Sequence, residues 1–313
     1  LKKVNNLPFF HLPVLGREVC EYLITDSGGV YLDGTLGGGG HAEMILQRLS
    51  AQGRYIGVDR DAQALAHARQ RLASFSNVVF FRGVFSQVED ALAAAGADAL
   101  DGVLLDLGVS SYQIDANERG FAFRPGLALD MRMDDQELLT AEAVLATYPE
   151  AELRRIFKEY GEERHAARIA QLIVRQREQR PFKTSDDLIN VIDRATPRQH
   201  VVKSYARIFQ ALRIEVNQEL QHLKRVLNAS LGFLKPGGRL VVISYHSLED
   251  RIVKHFLKEQ ENPCICPPEY PVCVCGKKPR MRRLKPFLIR PAEDEIENNP
   301  RARSAKMRVG EKI

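Results

Sequence analysis

Val30-Tyr31-Leu32-Asp33-Gly34-Thr35-Leu36-Gly37-Gly38-Gly39-Gly40-His41 is the stretch on which the fold turns. A short apolar run ends on an acid, four glycines follow in succession, and helix-forming sequence begins at Ala42. Glycine carries no Cβ, so such a segment bends sharply between strand and helix and brings backbone close to a ligand. Working outward, Arg54-Tyr55-Ile56-Gly57-Val58 predicts a second buried strand, ending at Asp59. Val78-Val79-Phe80-Phe81 predicts a third, and Gly102-Val103-Leu104-Leu105 a fourth, ending at Asp106. Residues 42–49, 62–72 and 87–95 between them are rich in Ala, Leu and Arg and predict helices. Alternation of this kind predicts an α/β fold, a parallel sheet with helices on both faces.

The alternation stops near Gln113. From there to Arg207 helical faces replace strands: Leu153, Ile156, Phe157 and Tyr160 share one side of a helix, and Thr184 with Asp187 predicts a capping box. Beyond it, Val216, Leu220, Leu223, Leu227 and Leu234 line one long helix that Pro236-Gly237-Gly238 breaks, before a strand at Leu240-Val241-Val242-Ile243 and a helix over 247–260. The predicted organisation is a discontinuous α/β domain, 1–112 with 208–313, interrupted by an all-helical insertion, 113–207.

Composition sets bounds. In 313 residues, 44% hydrophobic and 27% charged, there is material for one large or two modest domains with a real core. The formal charge of +5 leans toward a polyanionic partner without requiring one. No run approaches the roughly 18 apolar residues of a membrane span. Cys20 stands apart from Cys264, Cys266, Cys273 and Cys275, and an odd, uneven set is no secreted disulfide framework, so a cytoplasmic protein is expected.

Asp59 lies 22 residues beyond Gly37 and is placed to accept hydrogen bonds from ribose hydroxyls. Both NAD and S-adenosylmethionine are bound by this architecture. A dinucleotide rests its pyrophosphate on the helix N-terminus, where acids in the turn are unhelpful. Asp33 beside the turn suits an ammonium and a sulfonium instead, and a Pro-Gly-Gly turn before a late strand is a methyltransferase habit. The methyl donor is the expected ligand.

Several stretches then resemble one family closely. They are His11-Leu12-Pro13-Val14-Leu15, Asp33-Gly34-Thr35 through Gly39-Gly40-His41, Asp106-Leu107-Gly108-Val109-Ser110-Ser111, Glu118-Arg119-Gly120-Phe121 and Leu129-Asp130-Met131-Arg132-Met133-Asp134. Tyr160-Gly161-Glu162-Glu163-Arg164, Ser244-Tyr245-His246-Ser247-Leu248-Glu249-Asp250-Arg251 and Asn299-Pro300-Arg301-Ala302-Arg303-Ser304 complete the set. Together they resemble the bacterial MraW family of small-subunit ribosomal RNA methyltransferases, nearly end to end. The resemblance implies a class I (Rossmann-like) methyltransferase fold with an inserted helical domain. It implies methylation of the exocyclic N4 of a P-site cytosine in 16S rRNA within the small ribosomal subunit. It also implies that Gly39, Gly40, His41, Asp59, Phe85, Asp106 and Gln113 line the S-adenosylmethionine site. Alone, His41 is an ordinary polar residue at a helix start, Phe85 reads as core and Gln113 as a solvated loop residue.

Cytosine N4 shares its lone pair with the ring, so the reaction needs alignment with the donor methyl and a group to hold the amine or take its proton. Asp106 is the candidate, at the rim where doubly wound sheets bind ligands. Asp130 is a rival, and either acid serves equally well as a cap or an arginine partner. Many amino-methyltransferases carry Asp/Asn-Pro-Pro-aromatic where this chain has Asp106-Leu107-Gly108-Val109. The target base must leave its stack, so surrounding RNA must be gripped. From Tyr270 to Arg290 there are seven Lys/Arg and no acid, including Lys277, Lys278, Arg280, Arg282 and Arg283, and Arg301, Arg303, Lys306 and Arg308 follow. This cluster is the candidate RNA clamp, against the alternative of a solvated basic loop. The four clustered cysteines leave two readings open, a structural Zn²⁺ site or unmetallated cysteines in a proline-rich loop.

Overall fold

The computed structural model describes residues 13–108, 119–270 and 272–313. In chain order the elements begin α1 (Gly16–Leu23), β1 (Val30–Asp33), α2 (Gly40–Leu46), β2 (Arg54–Asp59), α3 (Ala62–Arg71), β3 (Val78–Arg82), α4 (Val88–Ala95) and β4 (Leu100–Asp106). Helices α5 (Ala141–Thr147), α6 (Glu150–Glu159), α7 (Ala166–Arg177), α8 (Ser185–Ala195), α9 (Val201–Asn217) and α10 (Glu219–Phe233) follow. The chain closes with β5 (Leu234–Ser244), α11 (Ser247–Glu261), β6 (Met281–Arg283), α12 (Glu293–Asn298) and β7 (Lys306–Lys312). It divides into two compact units, residues 1–108 with 222–313, and residues 109–221.

The first unit is built on a seven-stranded sheet of order β3-β2-β1-β4-β5-β7-β6. β1 to β5 run parallel, and β7 runs antiparallel between β5 and β6. Side chains alternate across a pleated strand, and the two cores sort by that period of two. Leu32, Ile56, Val103, Leu105, Leu240 and Val242 face one layer, where they meet Ala91, Leu223, Leu227 and Phe256. Tyr31, Tyr55, Leu104, Val241 and Ile243 face the other, where they meet Val19, Ile45 and Ala68. Each fully buried side chain of this size contributes roughly 1.5–3 kcal/mol, which is why both layers of helices stay docked.

The second unit is helical. Leu153, Ile156 and Phe157 of α6, Ile169 and Ile173 of α7, Leu188 and Ile192 of α8 and Ile208 and Leu212 of α9 share one buried core. The start of α8 is fixed by Asp187, whose carboxylate accepts from the backbone N–H of Thr184 at 3.1 Å and of Lys183 at 3.0 Å. Satisfying these otherwise orphaned donors is worth about 1 kcal/mol.

Three details differ from expectation. The long helix through Val216 and Leu220 is two helices, because Gln218 takes a left-handed conformation (φ 50°, ψ 35°) between α9 and α10. An Arg213–Glu219 fork at 2.8 and 2.9 Å and the Asn217 side chain, which donates to Met131 O and Arg213 O, hold that bend. The helical unit therefore runs to Gln221, whereas the sequence pattern predicts a return to the α/β domain at 208. Pro236-Gly237-Gly238 does not precede β5 but forms a bulge inside it, where the register shifts between Leu100 and Gly102. β6 and β7 have no counterpart among the predicted strands.

Candidate active site at the strand tips

The turn after β1 is held from within. Asp33 is only 1% exposed; one carboxylate oxygen accepts from Thr35 N at 2.9 Å and Thr35 Oγ1 at 3.2 Å, the other from the Tyr55 hydroxyl at 2.8 Å. Burial raises its pKa against the pull of those hydrogen bonds. The expectation that Asp33 faces a cationic ligand is therefore corrected: its carboxylate is sunk beneath the turn as an internal brace. Gly34 passes so close to β4 that a Cβ would lie 2.7 Å from Leu105 and 2.9 Å from Phe85. Gly39 caps α2 in a left-handed conformation (φ 79°), and Gly40 begins the helix.

Asp59, at the end of β2, is half-buried and braces the same turn, accepting from Gly37 N at 2.8 Å and Asp61 N at 2.9 Å. Each oxygen keeps a further lone pair for an incoming hydroxyl. Burial, the largest influence, pushes this carboxyl up to about 6.

Asp106 ends β4. Its backbone N–H donates to Thr35 Oγ1 at 2.6 Å, and its Oδ1 accepts from the Tyr245 hydroxyl at 2.8 Å. Its Oδ2 accepts no hydrogen bond among the described residues and lies 3.7 Å from His41 Nδ1. His41 is buried near the start of α2, with Nε2 2.9 Å from the Val14 carbonyl. Burial lifts Asp106 to about 6, opposed by the His41 ring and the Tyr245 hydrogen bond. Phe85 is half-buried and meets His222 edge-on, with ring centroids 6.1 Å apart, while Ser86 Oγ sits 2.9 Å from His222 Nδ1. Burial and then the Arg60 and Arg225 charges depress His222 to about 4, so it is a neutral ring at pH 7.

Gly39, Gly40, His41, Asp59, Phe85 and Asp106 thus all belong to the α/β unit and lie on or beside the loops at the C-terminal ends of β1 to β4. Gln113 lies outside the described residues. Asp130 belongs to the helical unit, where Arg132 grips it with Nε and Nη2, both at 2.8 Å. Burial works against that charge, yet the Arg132 fork outweighs it and holds Asp130 below its ordinary range, which makes it the weaker base. Tyr245 and Thr35, which hold Asp106 from either side, carry no site signal in the sequence, although both lie within the family-like motifs.

Two parts of the basic cluster are also corrected. Arg283 is paired with Glu261 and Arg282 with Glu311, both at 2.5 Å, and Asp250 holds Arg308 at 2.7 Å and Lys306 at 3.5 Å. These charges fasten β6, β7 and α11 together. Lys277, Lys278 and Arg280 are exposed and make no ion pair among the described residues. No helix among the described residues is long and apolar enough to cross a membrane.

A parallel sheet with a reversed strand between its last two members, and acids at the tips of β2 and β4, defines a Rossmann-like, class I methyltransferase fold. The model of the MraW methylase family matches residues 8–313. A protein of Carboxydothermus hydrogenoformans named ribosomal RNA small subunit methyltransferase H is 50% identical over 313 residues, covering 98% of this chain and 99% of its own. One of the same name from Heliobacterium modesticaldum is 49% identical over 310 residues, covering 97% and 99%. The chain belongs to the MraW methylase family, whose methyl donor is S-adenosylmethionine.

Proposed function

We propose that this chain transfers a methyl group from S-adenosylmethionine to the exocyclic N4 of a P-site cytosine in 16S rRNA. The observation that carries this reading is the placement of two carboxylates, Asp59 and Asp106, at the tips of β2 and β4 beside a glycine-rich turn, where burial lifts both to about 6. Two acids held partly against their charge favour a ligand that brings hydroxyl donors and positive charge, and repel a pyrophosphate. The donor fits, because its ribose offers hydroxyls and its sulfonium offers the charge.

When bound, S-adenosylmethionine supplies a methyl group already activated by the sulfonium. Asp59 would accept the ribose hydroxyls, the left-handed Gly39 would turn the backbone into α2 beside the ligand, and Phe85 would flank the adenine. Asp106 Oδ2 would hold the cytosine amine and take its proton as the N–C bond forms and the methyl–sulfur bond of the donor breaks, while Tyr245 keeps the carboxylate from turning away and Thr35 pins the Asp106 main chain. In-line alignment of this kind is worth an effective molarity of roughly 10⁵–10⁸ M. The name carried by the relatives from Carboxydothermus and Heliobacterium, together with the base chemistry Asp106 can perform, supports ribosomal RNA as the substrate.

Label transfer from methyl-labelled donor to 16S rRNA or to isolated small subunits tests the activity; labelled RNA supports it, and donor binding without transfer leaves only a regulatory RNA-binding protein. Donor affinity has an expected pH dependence. Both acids are ionised above about 6 and neutral below it. A cationic ligand loses its partners as they protonate, so Kd should rise about tenfold per affected carboxyl between pH 7 and pH 5. Calorimetric titration reads this directly; a Kd flat or falling toward acid contradicts the assignment of the two carboxylates.

Lys277, Lys278 and Arg280 are the proposed phosphate contacts, now without Arg282 and Arg283. Replacing the three by alanine should reduce the slope of log affinity for RNA against log salt by about 0.7–0.9 for each phosphate no longer neutralised. An unchanged slope removes this loop from the clamp.

A further inference from the structure

Among the described residues, the segment between α11 and β6 has no helix or strand and almost no core of its own. Ile265 is 69% exposed, Val272 71% and Val274 72%, so apolar burial does not hold it. Its feet are joined where Arg280 N–H donates to Gln260 O at 2.9 Å. Irregular loops of this length are uncommon in compact domains, and those that occur are usually functional or disordered.

Within it the four cysteine sulfurs converge. Cys273 Sγ lies 3.5 Å from Cys264 Sγ, 3.9 Å from Cys266 Sγ and 3.5 Å from Cys275 Sγ, and Cys275 lies 4.0 Å from Cys264. All four fall within 4.8 Å of one another. Zn–S bonds of about 2.3 Å in a tetrahedron place sulfurs about 3.8 Å apart. Disulfides need about 2.05 Å and pair sulfurs two by two, whereas here Cys273 stands at similar distances from three. Cys266 Sγ also accepts a hydrogen bond from Val274 N at 3.3 Å, a contact that a metal-bound sulfur keeps.

We propose that Cys264, Cys266, Cys273 and Cys275 bind one Zn²⁺ as a tetrathiolate, which fixes the loop between α11 and β6. Soft sulfur ligands in a tetrahedron select zinc or iron, and a redox-inactive ion suits a site open to solvent. Binding converts four thiols to thiolates and releases their protons to solvent, leaving a dianionic centre. Lys277, Lys278 and Arg280 follow directly in sequence, and their charges offset it. If the phosphate-binding role given above to these residues holds, the metal is what orients them; the metal site itself does not depend on that role.

The test is elemental analysis of the full chain purified without chelator. About one zinc per chain is expected, retained through gel filtration and released by a mercurial titrant. A Cys266→Ser/Cys273→Ser double variant should lose it, with cleavage of the 262–280 loop by protease accelerated about tenfold or more. Because that variant disturbs the loop by design, cobalt reconstitution of the unaltered protein is the second measurement, and tetrahedral thiolate absorption is expected. Iron in place of zinc, four freely reactive thiols with no metal, or disulfides found by mass spectrometry would each overturn the proposal. None of these readouts involves methyl transfer, so failure here is distinguishable from failure of the proposed activity.

Discussion

Asp106→Asn is expected to lower turnover at saturating donor by about 10²–10⁴-fold, the usual worth of a positioned general base. The substitution is nearly isosteric and keeps an oxygen to accept the Tyr245 hydroxyl, which now sits at 2.8 Å. It therefore removes the charge and basicity at Oδ2 while leaving the constellation in place. Donor affinity should fall by less, about tenfold at most, since Asp59 and the glycine turn remain. Single-turnover rates with bound 16S rRNA, beside donor Kd, separate the two effects. Tyr245→Phe is the companion variant: it frees Asp106 to rotate and should cost less than Asp106→Asn. Near-normal single-turnover rates in Asp106→Asn would show that the amine loses its proton without help from this carboxylate.

Gly120→Ala is expected to destabilise the helical unit by roughly 3–5 kcal/mol, at the upper end of single-substitution costs, because the conflict is with main chain and not with a side chain that can move. Gly120 has φ 69°, and a Cβ there would lie 1.9 Å from the carbonyl oxygen of Ala128. No rotamer relieves a clash between a Cβ and a main-chain carbonyl. Ala128 forms an isolated bridge with Thr184, the residue before α8, so relief by backbone movement would strain the start of that helix. Gly126→Ala is the control, because φ is 79° and nothing lies within 4 Å. It should show only the conformational cost, about 1 kcal/mol. Hydrogen-exchange protection across α8 reads both. Equal losses in the two variants would show that positive φ, not the Ala128 carbonyl, governs position 120.

How far the sequence was legible depends on what each residue does. The acids ending β1, β2 and β4 stood out because apolar runs stop on them, and periodicity reports where a strand stops. It does not report which way the carboxylate turns. Asp33 pairs in register with Gly57, and Tyr55, two positions back on β2, reaches it diagonally with its hydroxyl. That cross-strand contact makes Asp33 a brace while Asp59 stays accessible at its edge. The break at Gln218 was hidden because Val216, Leu220, Leu223 and Leu227 keep helical spacing across it, and the polar contacts that hold the bend, the Arg213–Glu219 fork and the Asn217 amide reaching the Met131 carbonyl, leave no mark in the apolar pattern. β7 was missed for a related reason. Met307 and Val309 alternate with Lys306 and Arg308, so one face of a buried strand read as a basic arm. The ion pairs to Asp250 show what those charges do instead.

The atom that receives the methyl group matters most. Unmodified 16S rRNA, supplied within small subunits and incubated with the protein and deuterated S-adenosylmethionine, can be digested to nucleosides and analysed by mass spectrometry. Deuterated N4-methylcytidine, formed at least about 10²-fold more slowly when Asp106→Asn replaces the native protein, is the predicted product. Label on cytosine C5, on a purine, or on no nucleoside at all would contradict it.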